Sequence, residues 1–298
     1  MKFSLPFLAS KKEQLPPPGQ YANQCVEAVI FNKEDLSSPT WEIVWKQIEK
    51  AVLMYGPRNV TFHFPVNDCD YVEDTFVKNK LMEALKRASD LHLHGIVVHS
   101  NRIHLIKKWH LLNLKKERKK TIEVLEKVRS ECKSSTFLAL ENMPIMDNYG
   151  IEIDPLFVYP EDFQDLKNTG IKVVWDICHY TNTLAYLQKV EQRYFSKKNY
   201  PHILPADIWD FLTIQDQIVH WHFSAFEGLA DPDLKTLCKE GVLPQKSTLG
   251  NIHYQQIMEK VSAISNLDDH IVFEIQEEDY QNRKEFMEMV KWTNAIVT

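Results

Sequence analysis

Eight short runs of β-branched and aromatic residues are spaced along the chain, and each is typical of a buried strand. Segments with apolar residues at helical spacing separate most of these runs. The predicted strands are Lys2–Pro6, Val26–Phe31, Val60–Pro65, Gly95–His99, Thr136–Glu141, Ile171–Asp176, Ile218–Phe223 and Ile271–Ile275. The predicted helices are Trp41–Tyr55, Thr75–Leu91, about Trp109–Cys132, Pro160–Lys167, Tyr180–Tyr194, Tyr254–Ile264 and Tyr280–Trp292.

This alternation predicts an α/β protein with a parallel sheet and right-handed crossovers. Eight strands in 298 residues fit a closed (β/α)8 barrel better than an open sheet, so we predict a single domain over residues 1–298. Two connections are expected to be irregular. The first, KKEQLPPPGQ, is too rich in proline to form a full helix, and the loop after the seventh strand is lengthened.

Composition and charge exclude several classes of function. The net charge of −6, from 35 basic and 41 acidic residues, gives no overall attraction for nucleic acid or anionic membranes. Only 8 glycines are present, and none forms a G-x-G-x-x-G or P-loop motif. No apolar run approaches the ~20 residues that a membrane span needs. Five cysteines without a C-x-x-C pair predict reduced thiols, so we expect a cytoplasmic protein.

Six predicted strands carry a polar side chain near the carboxyl end, which is the face where barrel active sites lie. The residues two positions earlier are mostly small or branched, as in an inner barrel layer, and those in between are large and apolar. One register therefore points all six polar side chains into the barrel. They are His63, His99, Glu141, Asp176, His222 and Glu274.

A divalent metal ion explains this set of side chains. A single histidine at a strand end is usually structural, but three clustered carboxylates without a lysine or arginine would repel one another and resist burial. A bound metal ion removes that cost, and histidines with carboxylates are ordinary ligands of Zn²⁺ and Mn²⁺.

The strand-end motifs resemble those of the xylose isomerase-like TIM barrels, a family that includes the endonuclease IV branch. The resemblance covers nearly the whole chain and is carried, in family order, by HFP, VVHS, LEN, DICH, HWHFS and FEI at the strand ends. It implies that Glu141, Asp176, His222 and Glu274 hold one metal ion. It also implies that His63 and His99 hold a second ion, which Glu141 bridges.

One part of the endonuclease IV pattern is missing. That branch holds a third metal ion with the histidine of D-x-x-H and an Asp-x-His pair, and Pro244 and Lys246 occupy the places of that pair here. His179 is thus left without obvious partners, although Asp231 or Asp233 could substitute. The resemblance therefore implies one or two divalent ions, with Zn²⁺ or Mn²⁺ preferred and Mg²⁺, Fe²⁺ or Co²⁺ compatible.

Three functions remain open at this point. The first is an isomerase, epimerase or lyase for a sugar or related polyol, with Glu141 and Glu274 as the catalytic carboxylates. The second is an endonuclease IV-like phosphodiester hydrolase, favoured by His63, His99, His179 and a basic run over residues 107–120. The third is a barrel that binds a metal or ligand without turnover. We expect a small sugar-like substrate, no membrane partner and no strong nucleic-acid binding, and the oligomeric state stays open.

Other polar residues have weaker assignments. His220 is interpreted as an inner-layer residue, with metal ligation as the alternative. Lys246 either reaches an anionic group of the substrate or lies on the surface. His92 and His94, which precede the fourth strand, are interpreted as structural.

Overall fold

A computed structural model describes residues 1–21, 24–132, 135–194, 206–231 and 233–297. Eight parallel strands pair in sequence order, and the last pairs with the first, so the predicted closed barrel is confirmed. The barrel strands are β1 (Lys2–Leu8), β2 (Gln24–Val29), β3 (Val60–His63), β4 (Gly95–Val98), β5 (Phe137–Glu141), β6 (Lys172–Asp176), β7 (Ile218–Phe223) and β8 (His270–Phe273).

Helices cover the outside of the barrel. The α-helices are α1 (Thr40–Tyr55), α2 (Thr75–Asp90), α3 (Leu114–Ser130), α4 (Ile177–Tyr194), α5 (Asn251–Ile264) and α6 (Lys284–Val297). Shorter 3₁₀ helices span Lys12–Gln14, Lys33–Leu36, Pro57–Asn59, Ile106–Leu111, Pro160–Leu166, Ile208–Gln217 and Pro244–Lys246. None of the helices in the described part of the chain is long and apolar enough to cross a membrane.

Five helix predictions need correction, and two of them concern α5 and α6, which begin at Asn251 and Lys284 rather than at Tyr254 and Tyr280. The long helix predicted from Trp109 begins only at Leu114, because Asn113 caps its first turn and the preceding residues form a 3₁₀ helix. The segment after Pro160 is also a 3₁₀ helix rather than an α-helix. By contrast α4 begins at Ile177, directly after β6, and this early start brings His179 into its first turn.

The two irregular connections occur where they were expected. Between β1 and β2, the described residues contain only the 3₁₀ helix Lys12–Gln14. The loop after β7 contains a two-stranded antiparallel sheet, in which Ala225–Glu227 pairs with Lys239–Val242. A second small sheet pairs His104–Leu105 with Glu152–Ile153.

Side chains alternate between two environments along the barrel strands. Phe62, Trp175 and Phe273 belong to the main core beneath the helices, whereas Val97, Ala139 and Val174 form a separate buried cluster. This second cluster is the inner layer that the sequence predicts two residues before each polar strand end. The single register is therefore confirmed, and it aims the polar strand ends into the mouth of the barrel.

Candidate active site

Glu141 lies at the centre of the polar strand ends. It is the last residue of β5 and is fully buried. Its Oε2 atom is 3.2 Å from His63 Nε2 and 3.0 Å from His99 Nε2, and its Oε1 atom is 3.2 Å from His222 Nδ1. One carboxylate thus faces three histidines from three different strands or strand ends.

The six predicted strand-end residues form two overlapping groups of metal-competent atoms. Ligand atoms of Glu141, Asp176, His222 and Glu274 lie within 4.8 Å of one another, and those of His63, His99 and Glu141 do so as well. His222 Nδ1 is also 3.4 Å from Glu274 Oε1 and 3.8 Å from Asp176 Oδ2. The structure therefore brings all six residues together, and Glu141 belongs to both groups.

The chemistry of these atoms fits a divalent metal ion. His222 Nδ1, Asp176 Oδ2 and Glu141 Oε1 are buried and have no hydrogen-bond partner, although the three lie close together. His63 Nδ1 is 3.0 Å from the Phe64 carbonyl oxygen. Donation of that N–H leaves Nε2 as the ring nitrogen that contacts Glu141, at 3.2 Å from Oε2. Buried nitrogen and oxygen lone pairs that converge without bonding one another are suited to an ion with mixed ligands.

Electrostatics within the site separates the groups into charged and neutral ones. Burial alone raises the pKa of Glu141, but the facing histidines reverse this and hold it well below its ordinary value. Burial lowers the pKa of His222, yet the charges of Glu141, Glu274 and Glu27 raise it well above its ordinary value. Burial raises the pKa of Asp176 well above its ordinary value and also raises that of Glu274. The carboxylates therefore compete for few counter-charges, which a metal ion would supply.

His179 belongs to the rim of the same site. Its backbone N–H donates to Asp176 Oδ1 at 2.6 Å, and its Nδ1 lies 2.9 Å from the Asn142 carbonyl oxygen and 3.4 Å from Glu141 Oε1. Burial lowers the pKa of His179, but the charge of Asp176 and of other carboxylates raises it to about 9. His179 also lines the cavity described below, and its Nδ1 is the ring nitrogen that makes these contacts.

Glu27 is a site residue that the sequence analysis missed. It lies within β2, is fully buried, and accepts hydrogen bonds from His220 Nε2 at 3.0 Å and Thr61 Oγ1 at 2.9 Å. Its other oxygen is 3.3 Å from His222 Nε2. Glu27 pairs with Thr61 across the sheet and so lies one layer below the polar strand ends that the sequence pattern indicates. A single acidic residue within an otherwise apolar strand was the available signal.

Two of the further candidates lie elsewhere. Lys246 is exposed in a 3₁₀ helix, pairs with Glu285 Oε2 at 3.1 Å and does not line the cavity described below. The Asp231 carboxylate accepts hydrogen bonds from the backbone N–H groups of Asp233 and Leu234 in the loop after β7. It belongs to none of the metal-competent groups among the described residues. His220 does belong to such groups, but in the layer of Glu27 rather than at the strand ends.

A cavity of about 470 Å³ opens above the site. Asp176, His179 and Glu274 form its polar floor. Aromatic and aliphatic side chains, among them Phe7 and Phe31, line its walls. This volume is in the range of pockets for small-molecule ligands.

Known structures share this fold over their full length. A D-tagatose 3-epimerase-like protein is 17% identical, with a TM-score of 0.57 and complete coverage of both chains. The 3-keto-D-glucoside 4-epimerase YcjR from E. coli, in its apo form, is 15% identical with a TM-score of 0.58, covering 99% of each chain. The IOLI protein with a bound zinc atom is 11% identical with a TM-score of 0.54, covering 100% of this chain and 98% of the other.

These likenesses establish the fold alone. All three identities are far below the level at which proteins reliably share a function. The chain has the fold of the xylose isomerase-like TIM barrels, as the strand-end motifs indicate. Neither the models of protein families nor the curated proteins give a match in sequence.

Proposed function

We propose that this protein is a divalent-metal-dependent isomerase or epimerase, or a lyase, that acts on a sugar or related polyol, with residues 1–298 as one catalytic domain. The observation that carries the proposal is the group Glu141, Asp176, His222 and Glu274, of which Asp176 and Glu274 line a cavity of about 470 Å³. The sugar epimerases among the structures with this fold support the substrate class, and the zinc-bound neighbour supports the metal.

The metal would be held by Glu141, Asp176, His222 and Glu274, and a second ion by His63, His99 and Glu141. A divalent ion there supplies a Lewis acid, which polarises a carbonyl or hydroxyl group and lowers the cost of proton loss from the adjacent carbon. Zn²⁺ and Mn²⁺ match the mixture of imidazole and carboxylate ligands.

The two catalytic carboxylates have different surroundings. Glu274 lines the cavity with about a third of its side chain exposed, whereas Glu141 is enclosed by histidines and does not line the cavity. We therefore assign proton abstraction from the substrate to Glu274, and we assign binding of the metal ions to Glu141. Burial raises the pKa of Glu274, which brings it closer to the range in which a carboxylate exchanges protons efficiently. His179, on the same floor, is placed to bind or protonate a substrate oxygen.

A phosphodiester hydrolase is the second candidate, because His63, His99 and Glu141 form a group that fits a second ion. The basic run after β4 gives it little support. Arg118 pairs with Asp162, and Lys120 pairs with Glu117, so part of the positive charge is already neutralised within the protein. The net charge of −6 also opposes binding to a polyanion.

The test compares Glu141→Gln with the exposed Glu126→Gln on α3. We expect Glu141→Gln to abolish epimerisation of a panel of ketoses and most metal binding, with unchanged circular dichroism, because both metal groups include Glu141. Glu126→Gln should behave as the wild type. Metal content is counted per chain by elemental analysis. Wild-type metal content in Glu141→Gln would refute the assignment of Glu141 as a metal ligand. Cleavage of abasic DNA that is lost in His63→Ala would favour the phosphodiester hydrolase. Metal binding by the wild type without turnover of any substrate would favour a barrel that binds a metal without catalysis.

A further inference from the structure

Three histidines lie together inside the barrel, below the candidate active site. His94 immediately precedes β4, His220 lies in β7, and His270 begins β8. One ring nitrogen from each lies within 4.8 Å of the others. His220 and His270 are fully buried, and His94 is partly exposed. None of the three lines the cavity above the strand ends.

Each of these rings has a buried nitrogen without a hydrogen-bond partner. The atoms are His94 Nε2, His220 Nδ1 and His270 Nδ1. A buried polar atom without a partner destabilises the folded protein, and the interior layers of barrels are normally filled with valine, isoleucine and leucine. Three such atoms on three neighbouring rings are therefore unfavourable unless a ligand satisfies them.

The neighbours of the rings leave these nitrogens with lone pairs. His220 Nε2 lies 3.0 Å from Glu27 Oε2 and donates its N–H there, so that Nδ1 carries the lone pair. His270 Nε2 lies 3.4 Å from Cys25 Sγ, and a proton held on this side likewise leaves the lone pair on Nδ1. Burial lowers the pKa of His94 to about 3 and that of His270 well below its ordinary value, so both rings are neutral.

We propose that His94, His220 and His270 form a second transition-metal site, separate from the candidate active site, for an ion such as Zn²⁺ or Cu²⁺ that prefers imidazole nitrogen. The His94 and His270 rings are stacked, with centroids 4.0 Å apart and planes 19° apart. Two parallel rings cannot both hold one ion in their planes, so one must turn about χ2, a soft torsion for histidine. His94, partly exposed and outside the strands, is the ring that turns, and its exposed side gives the ion a route inward.

Glu27 connects this site to the one above it. One of its oxygens accepts from His220, and the other lies 3.3 Å from His222 Nε2. The same carboxylate therefore orients one histidine toward each site. The lower site does not depend on the proposed catalytic function, because none of its three histidines belongs to the strand-end groups.

The test uses Cu²⁺ in a Glu141→Gln/Asp176→Asn background, which weakens the upper site. We expect one tightly bound Cu²⁺ per chain, with electron paramagnetic resonance hyperfine splitting from three nitrogens. His94→Asn in this background should lose the ion and the three-nitrogen pattern, whereas the control His92→Asn, two residues earlier and exposed, should retain both. His94→Gln is a second variant that keeps a polar side chain of similar size at this position.

Three results would overturn the proposal. They are the absence of a bound ion in the background variant, a two-nitrogen pattern that depends on His63 and His99, and retention of the ion in folded His94→Asn or His94→Gln. Folding is checked independently by circular dichroism and thermal unfolding without metal. Because the background already lacks two ligands of the upper site, failure of the catalytic proposal would not alter this outcome.

Discussion

Glu27 shows how one buried carboxylate can set the chemistry of several neighbours. It is fully buried, and the facing histidines hold its pKa well below its ordinary value against the effect of burial. Its oxygens face Thr61, His220 and His222. A carboxylate behind a metal-ligating histidine fixes the orientation of the ring and strengthens its lone pair, so under the proposed function we expect Glu27 to be a positioning residue for His222.

We predict that Glu27→Gln weakens metal binding at the candidate active site by about 10- to 100-fold, the usual effect of removing such a partner. The amide keeps the volume but not the charge, and its NH₂ group cannot accept from histidine. Chelator competition gives the dissociation constant. Asp162→Asn, a buried carboxylate near Arg118, is the control and should leave metal affinity unchanged. Equal affinities in wild type and Glu27→Gln would refute the positioning role.

The strand-end residues were predictable because burial and alternation leave few places for a charged side chain. Glu141 and Asp176 end their strands, where a polar residue in an apolar run stands out. Glu27 lies one layer lower, within its strand, so a pattern of polar strand ends does not include it. The position of Lys246 away from the strand-end residues was not predictable, because its ion pair with Glu285 joins segments that lie 39 residues apart in the sequence.

The pairing of β4 with β5 depends on a missing side chain. Gly95 faces Phe137 across the two strands, and a Cβ atom built on Gly95 would lie 2.1 Å from the Phe137 ring. The ring packs at 5.1 Å from His94 and 5.8 Å from His220, so it closes the amino-terminal end of the barrel. Glycine is required here because the aromatic ring occupies the space of its side chain.

We predict that Gly95→Ala destabilises the protein by about 1–3 kcal/mol, as is usual when a well-packed core is overfilled. Urea unfolding monitored by circular dichroism measures the change in the free energy of unfolding. Phe137→Leu, which makes room beside position 95, should reduce the cost of Gly95→Ala in a double-mutant cycle. Additive effects of the two substitutions would show that the ring is not the obstacle.

The prediction of helices and strands failed where strands are short and where a side-chain hydrogen bond sets the start of a helix. The eight barrel strands carry strong apolar signals, and all eight were found. The two small antiparallel sheets escaped notice, because strands of two to four residues show no measurable alternation. The 3₁₀ helix Ile208–Gln217 was also missed, and its start depends on the Asp207 side chain, which accepts from the Trp209 N–H. Such local hydrogen bonds are weakly encoded in periodicity.

At the scale of the whole molecule, the barrel concentrates charge at one end. Elements distant in sequence bring Glu27, Glu141, Asp176 and Glu274 to the upper part of the interior, where His222 is among the compensating groups. Glu27, Glu141 and Asp176 are almost fully buried, so the interactions among these groups are strong. The protonation of the site is therefore a property of the assembled barrel rather than of any single strand.

Metal binding should consequently release protons at neutral pH. Opposing carboxylate charges outweigh burial and raise the pKa of His222 well above its ordinary value, so the metal-free site holds a proton on this ring at pH 7.5. A metal ion needs the Nδ1 lone pair and must displace that proton. A histidine with the unperturbed pKa of about 6.5 would release only about 0.1 proton per ion at pH 7.5, whereas the raised pKa of His222 predicts the release of close to one proton. Affinity should rise with pH until the raised pKa is passed.

Calorimetric titration of the metal-free protein with Zn²⁺ or Mn²⁺ at pH 7.5 measures this release, because the heat depends on the ionisation enthalpy of the buffer. Two buffers that bind metal weakly and differ in ionisation enthalpy give the number of protons per ion. Repeating the titration in the Asp162→Asn control should give the same number, since Asp162 pairs with Arg118 rather than with the metal-competent groups. Heats that do not depend on the buffer would contradict the raised pKa of His222 and with it the charge balance derived for the site.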